Sequence, residues 1–155
     1  MASRNDGDHG HPRSTAKIAG HPIHPMLVQF PIVCFILTLV FDFLYARGQT
    51  EVAPWTIWLL GIGLGMGALV AIAGLIDFLG EKRIQGSDAI KHAAANVTAV
   101  ALEVVNLILR LRNTDSISSR GVYISLIAVL ILLYSGWKGG DLVYRHGMGV
   151  NDTDR

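Results

Sequence analysis

Apolar residues in this chain fall into four long runs separated by short polar stretches. The first, Met26 to Ala46, is interrupted only by Gln29, Pro31, Thr38 and Asp42. At about 1.5 Å per residue it covers roughly 30 Å, the thickness of a bilayer's hydrocarbon. It is too long for the core of a signal peptide, and Tyr45-Ala46-Arg47 is a poor cleavage site. The second run opens at Pro54 and Trp55 and continues to Leu79 with no charge before Asp77; Trp55 and Trp58 suit the headgroup level. The polar segment Gly80 to Asp88 reverses the chain, with Ser87 as the expected N-cap of a third, less apolar helix. Arg112 to Arg120 is a polar loop, and the last run starts at Gly121 and reaches Tyr144 past Gly139-Gly140. The pattern predicts helices at about 25–46, 54–79, 88–111 and 121–144. With three short connections they form a four-transmembrane-helix, up-and-down bundle, an all-α membrane protein. The domain spans 21–150. Residues 1–20 are too polar to offset the entropy of ordering and are expected to form a disordered tail, with 151–155 as a second tail.

Composition agrees with the pattern. Of 155 residues, 51% are hydrophobic and 16% charged, and the mean hydropathy is +0.43. A formal charge of +1 argues against nucleic-acid binding, which needs concentrated positive charge. The single cysteine, Cys34, rules out an intrachain disulfide and reads as a small core residue. Cations set the orientation. Arg4, Arg13, Lys17, Lys82, Arg83, Lys91, Lys138, Arg145 and Arg155 fall on one side, against Arg47, Arg110, Arg112 and Arg120 on the other. The positive-inside rule then places both termini in the cytoplasm.

That topology brings His21, His24, Asp77, His92 and His146 to one membrane depth, while His9 and His11 lie in the tail. Neutral imidazole is the commonest protein metal ligand, and bundle cores take ligands from facing helices. Histidines at an interface can equally hydrogen-bond loop carbonyls, and the spacing does not choose. His21-Pro22-Ile23-His24-Pro25 is stiffened by its prolines, with Pro25 in the first helical turn. Pro31 is expected to bend the first helix.

On the third helix His92, Asn96, Ala99, Glu103, Asn106 and Arg110 recur at steps of three and four and share one face. Charged groups are costly in hydrocarbon, so this face should point into the bundle. His24, Pro31, Thr38 and Asp42 form a comparable face on the first helix, which predicts an ion pair between Asp42 and Arg110. The stripe reads as interhelical hydrogen bonding or as a proton path through Glu103. The second helix carries Gly61, Gly63, Gly65, Gly67, Ala71 and Gly74; such residues allow close packing, a homodimer face, or room for a flat macrocycle.

No Ser-His-acid constellation with a nucleophile turn, no Lys-Ser/Thr phosphate loop and no H-E-x-x-H occurs, so no catalytic residue is assigned.

The segments Gly20-His21-Pro22-Ile23-His24-Pro25-Met26-Leu27-Val28 and Gly139-Gly140-Asp141-Leu142-Val143-Tyr144-Arg145-His146-Gly147-Met148-Gly149-Val150 resemble the two signatures of a bacterial membrane family, domain of unknown function 2231 (DUF2231). With Gly74-Leu75-Ile76-Asp77 and the pair His92 and Asn96, the resemblance covers roughly residues 19–150. Gln29-Phe30-Pro31 stands where many relatives carry His-Phe-Pro. The resemblance implies a four-helix fold in the bacterial inner (plasma) membrane. It places His21, His24, Asp77, His92 and His146 in the family's motifs. Related domains fused to cytochrome c or Rieske-type modules imply a redox setting and a redox partner protein.

Together these readings favour a b-type haem with His24 and His92 as axial ligands, and His21 and His146 beside it, in an electron carrier rather than an enzyme. The alternatives are a non-haem iron, zinc or copper site from His24, His92, His146 and Asp77, and a cofactor-free structural or interaction protein.

Overall fold

The computed structural model describes Pro12 and residues 14–148. His9, His11, Arg4, Arg13, Arg155, Gly149 and Val150 lie outside the described residues, as do the predicted tail over 151–155 and most of that over 1–20. The helices are α1 (Ile23–Leu27), α2 (Gln29–Ala46), α3 (Ala53–Gly80), α4 (Ser87–Arg112) and α5 (Val122–Tyr144). Helix α1 continues into α2 as one apolar rod, Ile23–Ala46, and with α3, α4 and α5 makes four spans long and apolar enough to cross a membrane. Helix α2 packs on α3 and α5, and α4 packs on α5 and α3. Chain neighbours are therefore neighbours in space, as short connections dictate.

The buried positions explain the packing. On α3, Thr56, Leu60, Gly63, Gly67, Val70, Ala73 and Asp77 turn inward, at steps of three and four as in helices wound at shallow angles. A Cβ on Gly63 would lie 2.8 Å from the Phe35 ring and 2.9 Å from Cys34. Close approach of α2 and α3 thus requires glycine there. Gly61 and Gly65 face open space on the other side of the same helix.

Polarity is distributed inside out. Thr38, Asp42, Thr56, Glu103, Asn106 and Ser125 are fully buried, while Trp55, Trp58 and Trp137 are more than 60% exposed, along with many Leu and Ile side chains. Water would not tolerate that much apolar surface, whereas hydrocarbon favours it. The predicted ion pair is present. Arg110 donates from Nη1 to Asp42 Oδ1 at 2.6 Å and from Nη2 to Asp42 Oδ2 at 2.7 Å. Ser125 donates to Asp42 Oδ2 at 2.7 Å, and Asn106 Oδ1 accepts from Arg110 Nε at 3.0 Å. This knot ties α2, α4 and α5 together across the interior.

Four local expectations change. Residues Ser14–Gly20 are not a disordered tail: β1 (Lys17–Ile18) pairs antiparallel with β2 (His21–Pro22). Their two-residue turn places Ala19 at φ 49° and Gly20 at φ 82°, the twist that tight hairpins favour. Ser87 does not cap α4; Gly86 precedes the helix in an extended conformation and no side chain caps it. The interruption expected from Pro31 falls at Val28, between α1 and α2, which leaves the proline in the first turn of α2, where its missing N–H costs least. The loop before α5 is shortened by a wide helical turn, Ile117–Gly121. Ile117 buries itself there against Tyr45, Val52 and Ala53, since the loop's one large apolar side chain gains most by leaving water.

Asp42→Ala and Arg110→Ala each strand a buried charge and should each cost about 3–5 kcal/mol, read as unfolding at lower SDS fraction in mixed micelles. The double variant should cost less than the sum of the two. Unfolding of either single variant at the wild-type SDS fraction would show that the pair does not hold the bundle. Gly63→Ala should lower the thermal midpoint in detergent, while Gly136→Ala on exposed α5 surface should not lower it; equal losses would contradict the packing of α2 on α3.

Candidate functional site

Two of the predicted site histidines meet. His24 comes from α1 and His92 from the second turn of α4, and their ring centroids are 6.1 Å apart with planes at 69°. His24 Nδ1 lies 3.1 Å from the Val70 carbonyl on α3, and His92 Nδ1 lies 2.8 Å from the Ser135 carbonyl on α5. A carbonyl only accepts, so both rings carry their proton on Nδ1 and present a lone pair at Nε2. At His92 this lone pair accepts from Asn96 Nδ2 at 3.1 Å. Ser135 Oγ also lies 3.0 Å from His92 Nδ1 and donates to the His92 carbonyl at 3.3 Å.

Glycines seat both imidazoles. A Cβ on Gly74 would meet His24 Nδ1 at 3.0 Å, and one on Gly139 would meet His92 Cε1 at 3.1 Å. Each histidine therefore leans on the backbone of a helix other than its own. The second-helix glycines divide accordingly: Gly74 seats a ligand candidate, while Gly63 and Gly67 serve helix packing.

The other predicted site residues stand elsewhere. His21 is exposed on the hairpin, with Nδ1 3.0 Å from the Ala19 carbonyl. His146 Nε2 approaches Asp88 at 3.3 Å, beside a network in which Lys138 bridges Asp88 at 3.1 Å and Asp141 at 2.9 Å. This network joins the start of α4 to the end of α5. Asp77 is taken up by the N-terminal segment: its Oδ1 accepts from Thr15 N at 2.7 Å, Ala16 N at 2.8 Å and Ser14 Oγ at 2.9 Å. Among the described residues no three His, Cys, Asp or Glu side chains are grouped to hold a metal ion. The expected set of His24, His92, His146 and Asp77 is thus not assembled.

Asp77 nevertheless bears on His24. It fixes Ala16, whose carbonyl accepts from Ile23 N at 2.9 Å, one residue before His24. Sequence reasoning did not assign this clasp, nor the Val70 and Ser135 carbonyls. Ser125, Ala128, Ser135 and Gly139 form a stripe of small residues on α5 that could have pointed to Ser135. A backbone acceptor on an apolar residue such as Val70 leaves no trace in the sequence.

A bundle of four spanning helices with a polar interior and a lipid-facing apolar surface defines an integral membrane protein of the all-α class. Residues 20–152 match the family described as predicted membrane protein (DUF2231), and the chain belongs to that family. No curated protein and no solved structure matches it.

Asp77→Ala should speed hydrogen exchange at the Thr15 and Ala16 amides by about ten- to a hundredfold, since a bond to a charged group contributes about 1.5–3 kcal/mol. Unchanged exchange, read by mass spectrometry in detergent, would show that the clasp does not hold the segment.

Proposed function

We propose that His24 and His92 hold a b-type haem through their Nε2 atoms, and that the protein carries electrons within the bacterial inner membrane. The observation that supports this most is the paired imidazoles 6.1 Å apart, each with Nδ1–H on a neighbouring helix's carbonyl. Two imidazoles bound to one ion at about 2 Å place their centroids about 6 Å apart. A carbonyl partner on the second ring nitrogen is the arrangement that fixes the tautomer and orientation of ligating histidines. The donor number favours haem over the non-haem alternatives. Zinc, copper and non-haem iron take three or more protein ligands, whereas a haem asks the protein for two.

A haem would supply one-electron chemistry at a potential set by its axial ligands and burial. The chain's own part is to orient. Val70 and Ser135 hold the Nδ1 protons, Gly74 and Gly139 leave room for the rings, and the Asp77 clasp fixes the chain before His24. Asn96 Nδ2 lies 3.1 Å from His92 Nε2 and would have to give way to a ligated metal ion. Among the described residues Lys17, Lys82, Arg83, Lys91, Lys138 and Arg145 lie at the His24 end, which supports a cytoplasmic position for that end and for both termini. A redox partner protein would dock there. The Gly61 and Gly65 strip on the lipid face of α3 suits close packing of a second copy.

Detergent-purified protein made with haem supplied should show a Soret band and, on reduction, sharpened bands at longer wavelength. His24→Ala and His92→Ala should each abolish the ordinary low-spin spectrum, and His21→Ala and His146→Ala should preserve it. A protein with no Soret band, or one whose band is unchanged in both His24→Ala and His92→Ala, overturns the proposal and leaves the imidazoles as clasps between helices.

A further inference from the structure

The buried polar knot at the Arg110 end contains one atom that the ion pair does not use. Glu103 is fully buried, its Oε2 accepts from Asn106 Nδ2 at 2.8 Å, and its Oε1 has no hydrogen-bond partner. Every neighbour is committed. Asn106 Nδ2 also reaches Ser125 Oγ at 2.9 Å, its Oδ1 accepts from Arg110 Nε, and Ser125 donates to Asp42. Both Arg110 Nη atoms are spent on Asp42, and Nη2 also reaches Ser125 Oγ at 3.0 Å.

The charges do not balance. One guanidinium faces two carboxyl groups, and the bidentate contact neutralises it with Asp42. The ionisable groups of the surrounding helices offer no other cation. Asp77, the one such group on α3, is bound to the N-terminal segment, and on α5 Lys138 pairs with Asp141 and with Asp88. Tyr123 of α5 faces outward, and Tyr45 of α2 packs with Val52 and Ile117. An ionised Glu103 would be an uncompensated charge at membrane depth, which proteins avoid by neutralising the group.

We propose that Glu103 is a proton-binding site inside the membrane, its proton held on Oε1, the one carboxyl oxygen of the knot that no other group bonds. Asn106 fixes Oε2 as the acceptor, which leaves Oε1 as the oxygen that takes up and releases the proton. Asn96 and His92 continue the same face two and three turns away, with buried Ala99 between them and Glu103. The site stands on the geometry of the knot and is independent of whether a haem is bound.

The chain has three glutamates, Glu51, Glu81 and Glu103, so wild-type protein labelled with carboxyl-13C glutamate can be read directly. In detergent micelles at neutral pH, one of the three carboxyl signals should show a neutral acid, with its carbonyl stretch shifting in D2O. Dicyclohexylcarbodiimide, which modifies protonated carboxyl groups in apolar surroundings, should add once, at Glu103. In Glu103→Gln both the neutral-acid signal and the adduct should vanish while the bundle stays folded. Three ionised carboxyl signals in the wild type, or a neutral-acid signal and adduct that persist in Glu103→Gln, overturn the proposal. If that variant does not fold, the wild-type spectrum and the mapped adduct decide alone.

Discussion

Hydrocarbon offers no hydrogen bonds, so a polar group that enters this bundle can find a partner only inside it. The contact between Asp42 and Arg110 meets that demand most fully: two charge-assisted bonds join helices on opposite corners, with Ser125 and Asn106 completing the set. Apolar surface cannot do this work, because lipid tails are as favourable a neighbour for leucine as another helix is. Polar bonds, and close contact at glycines such as Gly63, therefore fix which faces of the helices meet.

The same demand shapes the opposite end. His24 and His92 enter the interior because Val70 and Ser135 offer carbonyls and because Gly74 and Gly139 offer space. Those bonds satisfy each imidazole at Nδ1, and at His92 Asn96 Nδ2 adds a partner for Nε2 at 3.1 Å. Between the two ends Ala99 and Val100 occupy α4, and the polar stripe narrows there. The molecule thus has two polar centres, one locked by an ion pair and one built from imidazoles bonded to backbone carbonyls of neighbouring helices. The N-terminal segment adds a third element, since its amides use the one carboxylate of α3 and so anchor the hairpin that delivers His24.

Much of this was legible in the residues. Four apolar runs gave the spans to within a few positions, and the three-and-four spacing on α4 gave its buried face. The cost of a charge in lipid then led from Asp42 and Arg110 to their pairing. The shared depth of His24 and His92 followed from topology, because alternate crossings return both to one end. The site's membership did not follow. His21, His146 and Asp77 share that depth but have partners of their own: a turn carbonyl, Asp88, and the amides of Thr15 and Ala16.

Sequence alone determined the number of spans, their order, the inward faces of the first and third and the depth of each ionisable group, because these depend on hydrophobicity and helical period, which are properties of residues taken one after another. Only the tertiary structure decided which groups at a given depth touch. That choice turns on backbone carbonyls, on helix rotation and on space left by glycines on neighbouring helices. None of these belongs to the residue whose role it sets, so Ser14 could look like part of a loose tail and prove to be a donor to Asp77.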